Sequence, residues 1–204
     1  MKRVAITGGF SSGKSLFAEE LAKLGAHVVS SDKIVHHLLH DSRVQAQVVQ
    51  LLGSEVLRDH ELDVQAIANR IFREPQLRVA MERLLHPMVY EEIERASQSC
   101  APNSLFIAEV PLLFESEGNS RFDEVVCIDT PVELSRARYC AAGGSTEEFD
   151  RRERNQLARS EKARRASIII SNTGDREALR QAAHLLYRNL TQNLNEPRRD
   201  RTTG

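Results

Sequence analysis

Residues Gly8-Gly9-Phe10-Ser11-Ser12-Gly13-Lys14-Ser15 fit the pattern G-x-x-x-x-G-K-[ST], directly after the apolar run Val4-Ala5-Ile6-Thr7 and directly before apolar positions Leu16, Leu21 and Leu24 at helical spacing. A strand, a glycine-rich turn and a helix in that order confine the chain to a parallel α/β sheet. The glycines let backbone N–H groups turn inward around phosphate oxygens, and the helix N-terminus adds partial positive charge. Lys14 then reaches the terminal phosphates and Ser15 holds Mg²⁺. Gly9, Phe10, Ser11, Ser12, Gly13, Lys14 and Ser15 are therefore expected to bind a nucleoside triphosphate, with Lys14 also serving catalysis and Ser15 the metal.

The other apolar runs agree with that architecture. Ala26–Val29, Leu105–Val110, Glu124–Asp129 and Ile168–Ile170 are short and lack polar alternation, as strands covered on both faces must be. The sequence thus predicts a P-loop NTPase sheet with helices on both faces, built from residues 1–40, 101–140 and 166–195. Residues 41–100 break the alternation. They show helical patterns and no convincing strand, with Pro75 and Pro87 as interruptions, and predict an all-helical insertion. Residues 141–165 carry Arg151, Arg152, Arg154, Arg159, Lys162, Arg164 and Arg165 and predict a solvated helix pair or a mobile lid. Residues 196–204 hold nothing apolar to bury and read as a disordered tail rather than a phosphate-binding arm.

Composition narrows the partners. Across 204 residues, 28 basic side chains face 29 acidic ones, so no global field draws the chain to nucleic acid or an anionic membrane. No apolar stretch is long enough to span a bilayer, and the opening run is too short for a signal segment. Cys100, Cys127 and Cys140 have neither even count nor C-x-x-C spacing, which fits reduced thiols in a cytoplasm.

A triphosphate site leaves open whether water or a hydroxyl receives the phosphoryl group, so the nearest acid or base decides. Asp32 follows the second strand, and carboxyl ends of parallel strands face the phosphate loop's crevice. It is either a general base for an attacking alcohol or the N-cap of a helix starting at Lys33. Asp129 and Glu109 are alternatives that would contact Mg²⁺ through water.

At this point the chain resembles the dephospho-CoA kinase family, from Thr7-Gly8-Gly9 to Ser171-Asn172-Thr173-Gly174. Ser30-Ser31-Asp32 is similar to the family's D-x-D segment, whose second aspartate is its proposed base. Ile71-Phe72 and Leu84-Leu85-His86-Pro87 resemble its helical CoA domain, and Val110-Pro111-Leu112-Leu113-Phe114-Glu115 its P-L-L-[FV]-E stretch. Arg152, Gln156, Lys162, Asn172 and Gly174 match its R-x-x-x-Q lid helix, E-K segment and final N-x-G loop beside the adenine. Ser30 replaces the first aspartate of D-x-D, Val64 an arginine, and Cys140-Ala141-Ala142-Gly143-Gly144 the usual Arg-Asp pair opening the lid.

The resemblance implies ATP-dependent phosphorylation of the ribose 3′-hydroxyl of dephospho-CoA, with Mg²⁺ as cofactor and ATP as co-substrate. It implies Asp32 as base, Asn172 and Gly174 at ATP, and His86, Leu112, Leu113 and Phe114 at the acceptor, with residues 41–100 binding CoA. By itself His86 before a proline is more often a packing or capping residue than a ligand, and Leu112, Leu113 and Phe114 read equally as plain core. With the Arg-Asp pair missing, Arg136 and Arg152 are assigned the charge-neutralising role, Arg138 being a third possibility. The adjacent glycines read as a flexible connection. Two other functions fit the loop alone: another small-molecule kinase, such as one acting on nucleoside monophosphates, or a nucleotide-binding switch or scaffold, whose GTPase type normally shows an N-K-x-D motif that this sequence lacks.

Overall fold

The computed structural model describes residues 1–192. The expected tail at 196–204 lies outside the described residues. The chain opens with strand β1 (Lys2–Gly8), helix α1 (Lys14–Lys23) and strand β2 (His27–Ser30). There follow α2 (Ser31–Leu38), α3 (Ser42–Leu52), the short strands β3 (Leu57–Arg58) and β4 (Glu61–Leu62), α4 (Val64–Arg73) and α5 (Pro75–Gln98). Then come β5 (Leu105–Glu109), β6 (Glu124–Asp129), α6 (Val132–Ala141), α7 (Thr146–Arg154), α8 (Arg159–Arg165), β7 (Ile168–Ser171) and α9 (Arg176–Gln192). Two compact units result: residues 30–96, and residues 1–29 together with the described residues from 97 onward.

In the second of these, five strands form one sheet in the order β2-β5-β1-β6-β7. β1 runs parallel to both β5 and β6, and β6 parallel to β7. Central placement explains the composition of β1: Val4, Ala5 and Ile6 are all 0% exposed, so side chains pointing to either face are covered and no polar alternation is tolerated. On one face Val4, Ile6, Leu105, Ile107, Val126 and Ile128 share a core with Phe17 and Leu21 of α1 and with Leu179, Ala183, Leu186 and Leu190 of α9. Each Val, Leu, Ile or Phe side chain among them contributes about 1.5–3 kcal/mol by leaving water. From β1 the chain passes to β2 at one edge, whereas β6 and β7 extend the sheet on the other side. That reversal puts the carboxyl end of β1 at the place where open α/β sheets receive ligands.

The 30–96 unit has its own core, formed by Leu39, Val44, Val48, Leu52, Val56, Ile67, Met81 and Leu85. Asp41 and Asp63 cap α3 and α4, accepting from Arg43 N and Gln65 N, each at 2.8 Å. Two expectations are corrected here. The segment is not all-helical, because β3 and β4 pair as an antiparallel hairpin. Its turn residues Asp59 and His60 take φ of 51° and 68°, the mirror-image conformation that matches strand twist; two-residue strands and a turn without glycine left no readable pattern. Pro87 does not interrupt a helix either, since α5 runs through it, with the proline exposed. Pro75 begins α5, where an N–H would lack an intrahelical partner anyway.

The connection after α6 also differs from expectation. Gly143 has φ +94°, its N–H reaches Cys140 O at 3.0 Å, and Gly144 N–H reaches Tyr139 O at 3.1 Å. This pair of bonds is the glycine-terminated helix stop, which satisfies two otherwise orphaned carbonyls. The Tyr139 ring lies where a side chain on Gly144 would sit. The glycines therefore fix the turn instead of loosening it.

Candidate active site

β1 delivers the chain into the 8–15 loop, and Gly13 starts α1 from the left-handed region at φ +96°. Glycine is required there twice over, because a Cβ would also come within 2.5 Å of Asn172 Nδ2. The loop is tied down from several directions. Thr130 Oγ1 and Asn172 Nδ2 both donate to Ser12 O, at 2.9 and 2.8 Å, and Asn172 N–H donates to Asp129 O at 2.8 Å. Lys14 is buried, its ammonium donating to Gly9 O at 2.8 Å and Gly8 O at 3.3 Å. The Ser12 hydroxyl is buried and has no hydrogen-bond partner among the described residues.

Ser15 Oγ donates to Glu109 Oε1 at 2.6 Å, a charge-assisted bond to a carboxylate only 7% exposed at the end of β5. The two oxygens are hard donors at the mouth of the loop, the set that suits Mg²⁺ bound by one or two protein oxygens plus phosphates and waters. Of the two alternative carboxylates, Glu109 is thus the one brought to Ser15. Cys127 on neighbouring β6 has its thiol pushed up to about 11, first by burial and then by the nearby Asp129 charge, so it stays protonated.

Around the loop apex stand aromatic rings and arginines. The Phe10 ring meets Tyr139 edge-on at 5.0 Å and Phe149 at 5.7 Å. Arg152 lies over the Phe10 ring at 4.9 Å, but its guanidinium pairs with Glu148 at 2.7 Å. Arg136 lies over Phe149 and donates twice to Asp150 Oδ1, at 3.0 and 2.9 Å. The arginine that reaches the loop backbone is Arg159, whose Nη2 donates to Phe10 O at 2.8 Å. A side chain on Gly9 would strike its guanidinium at 2.4 Å. Arg138 is different again: it donates to Asn172 O at 3.1 Å and Gly174 O at 2.6 Å, holding the N-x-G turn.

The stretch after β5 is anchored by Lys162, fully buried, whose ammonium donates to Pro111 O at 2.7 Å and Gln156 Oε1 at 3.1 Å and pairs with Glu115 at 3.0 Å. Leu113 and Phe114 are buried, whereas Leu112 is half-buried. His86 is half-buried on α5, and Asp32 is exposed in the first turn of α2, both in the 30–96 unit. Asp32 is not the helix cap, because α2 starts at Ser31 and Ser30 occupies the cap position without a side-chain bond.

A sequence profile of the dephospho-CoA kinase family matches residues 2–178. The chain belongs to the dephospho-CoA kinase family. It is 40% identical over 196 residues to a dephospho-CoA kinase of Protochlamydia amoebophila, covering 93% of this chain and 97% of that protein. Among solved structures it is similar to TT1252 from Thermus thermophilus, with TM-score 0.80, 32% identity and 93% and 98% of the two chains covered. It is similar also to the dephospho-CoA kinase of Campylobacter jejuni, with TM-score 0.72, 27% identity and 95% and 99% covered. Family membership makes the chain a kinase of coenzyme A biosynthesis, and the α/β fold with its parallel sheet agrees.

Within the family frame, sequence reasoning missed Arg159, Glu153 and Thr130. Arg159 stood among seven basic residues of one charged stretch, and nothing local distinguished it. Its partners Phe10 and Thr130 lie 149 and 29 residues away. Among the described residues, no helix is long and apolar enough to cross a membrane.

Proposed function

We propose that the chain transfers the terminal phosphoryl group of ATP to the ribose 3′-hydroxyl of dephospho-CoA, giving coenzyme A and ADP, in the cytoplasm and with Mg²⁺. The observation that carries this reading is the loop itself, with Lys14 at its base and the Ser15–Glu109 oxygen pair at its mouth, in a chain of this family. The loop N–H groups and Lys14 bind the phosphates, and Asn172 and Gly174 lie on the adenine side. Ser15 and Glu109 would hold Mg²⁺, which when bound supplies positive charge to the phosphate oxygens.

Asp32 accepts the proton of the ribose hydroxyl as the oxygen attacks in line. Its exposed carboxylate at the head of α2, not used as a cap, supports that role. His86 and Leu112 meet the acceptor, and the buried Leu113 and Phe114 back that surface. Residues 41–100 bind the CoA portion and 141–165 act as the lid.

The test is to mix the protein with Mg-ATP and dephospho-CoA and read coenzyme A by mass, with AMP and CMP as competing acceptors. Coenzyme A is the expected product; preference for a monophosphate would overturn the assignment. Asp32→Asn should leave ATP affinity nearly intact and lower turnover by about 10²–10⁴-fold. Unchanged turnover removes Asp32 from the mechanism.

A further inference from the structure

Glu153 of α7 and Arg159 at the start of α8 form a paired device on the loop apex. Glu153 Oε1 accepts from Arg159 Nε at 2.6 Å, and Oε2 accepts from Arg159 Nη2 at 2.9 Å. The same Oε2 also accepts from the Phe10 backbone N–H at 3.3 Å. A carboxylate oxygen thus occupies an anion position on the phosphate loop. The guanidinium's other donors go to neutral acceptors: Nη1 to Thr130 O at 2.7 Å and to Ser135 Oγ at 2.8 Å, and Nη2 to Phe10 O at 2.8 Å.

All five N–H donors of the guanidinium are therefore used, two on Glu153 and three on groups without charge. If Glu153 leaves, three bonds still hold Arg159 beside Gly9, and two donors come free next to the loop. Glu153 and Arg159 side chains are 22% and 13% exposed, so the charges act on one another with little screening. A phosphate that takes the Phe10 N–H cannot share that place with a carboxylate of like sign. The 3.3 Å bond from Phe10 is the weak member of the set and the first to yield.

We propose that Arg159 is a phosphate-contacting residue and Glu153 its displaceable counter-ion, so that a triphosphate entering the loop replaces the Glu153 carboxylate and takes over Phe10 N–H and two guanidinium donors. The proposal deepens the kinase reading and rests on it: all three arginines pair with a carboxylate, but Arg159, unlike Arg136 and Arg152, also donates to the loop backbone at Phe10 O, which fits it for the charge-neutralising role.

Binding of ATP and of inorganic tripolyphosphate, measured by calorimetry on the full chain, tests the exchange without turnover or acceptor. Glu153→Gln and Glu153→Ala each remove the competing charge, and alanine is the best helix former for α7. Both should tighten both anions about five- to tenfold. Arg159→Ala should weaken ATP at least tenfold and lower kcat, Arg159→Lys should restore part of kcat, and Glu153→Gln with Arg159→Ala should regain part of the lost affinity. Unchanged or weaker anion binding in both Glu153 variants overturns the exchange, and wild-type ATP affinity in Arg159→Ala overturns the phosphate contact. Absence of coenzyme A formation by the wild type, with these shifts present, would strike the acceptor assignment alone.

Discussion

The central sheet and residues 144–165 belong to one unit but are held by different forces. In the sheet, Val4, Ile6, Ile107 and Val126 are 0% exposed and pack on Phe17 and Leu21, with apolar contact throughout. In 144–165 the fully buried side chains are Phe149 and Lys162, and charged ties do the rest: Arg152 with Glu148, Arg136 with Asp150, Arg159 with Glu153, Lys162 with Glu115 and Arg164 with Glu161. Apolar burial is indifferent to pH and is not weakened by salt, whereas ion pairs respond to both. The 8–15 loop stands between a foundation that pH leaves unchanged and a charged segment whose ties pH and salt both weaken.

The largest expected effect is in the foundation. Phe17→Ala empties a fully buried site in α1 and should cost about 3–5 kcal/mol in urea unfolding, by the same amount at low and at high salt. A loss under about 1 kcal/mol would break the contrast. Next comes Lys162→Met, which keeps the stem volume but removes the donor to Pro111 O, Gln156 and Glu115. It should cost about 2–4 kcal/mol. Finding no loss would show that the apolar stem, and not the ammonium, secures this segment.

The smallest effect is one of pH. Glu148 is held below its ordinary value of 4.5 by hydrogen bonds from Tyr139 and Arg152, and Glu161 likewise by its bond from Arg164. A carboxylate with a lowered value contributes stability that is fully present above 4.5 and is lost as pH falls through the lowered value. Proteolytic cutting within 144–165 should stay constant from neutral pH down to about 5 and then rise below 4.5, before the sheet unfolds. Cutting that rises together with sheet unfolding would mean that the two regions are one cooperative body.

This contrast also governs what could be read in the sequence. The central strands were legible because burial on both faces forces runs rich in β-branched residues such as Val4–Thr7 and Val125–Ile128, whereas edge strand β7, expected to be covered on both faces, leaves Ile169 exposed; the loop was legible because its glycines are dictated by backbone geometry. Pro87 was misread, since a helix can pass a proline that faces outward. Leu113 and Phe114, placed beside the acceptor by the family pattern, are buried, and sequence gives no face to a residue after a strand end. Least legible were the arginines. Arg136, Arg138, Arg152 and Arg159 share one charge and similar surroundings in the chain; the Arg152–Glu148 pair is local, at i,i+4 on one helix, but the partners of the others, Asp150, the 172–174 turn and the loop itself, are brought close by folding.

The position of β1 at the middle of the sheet has a last consequence. Its backbone amides pair on both sides, so Val4 to Ile6 should be among the slowest to exchange their protons for deuterium, opening only when the whole unit unravels. The strand beneath the 8–15 loop is thus a rigid footing, and any local opening of this unit is expected in segments outside residues 4–6.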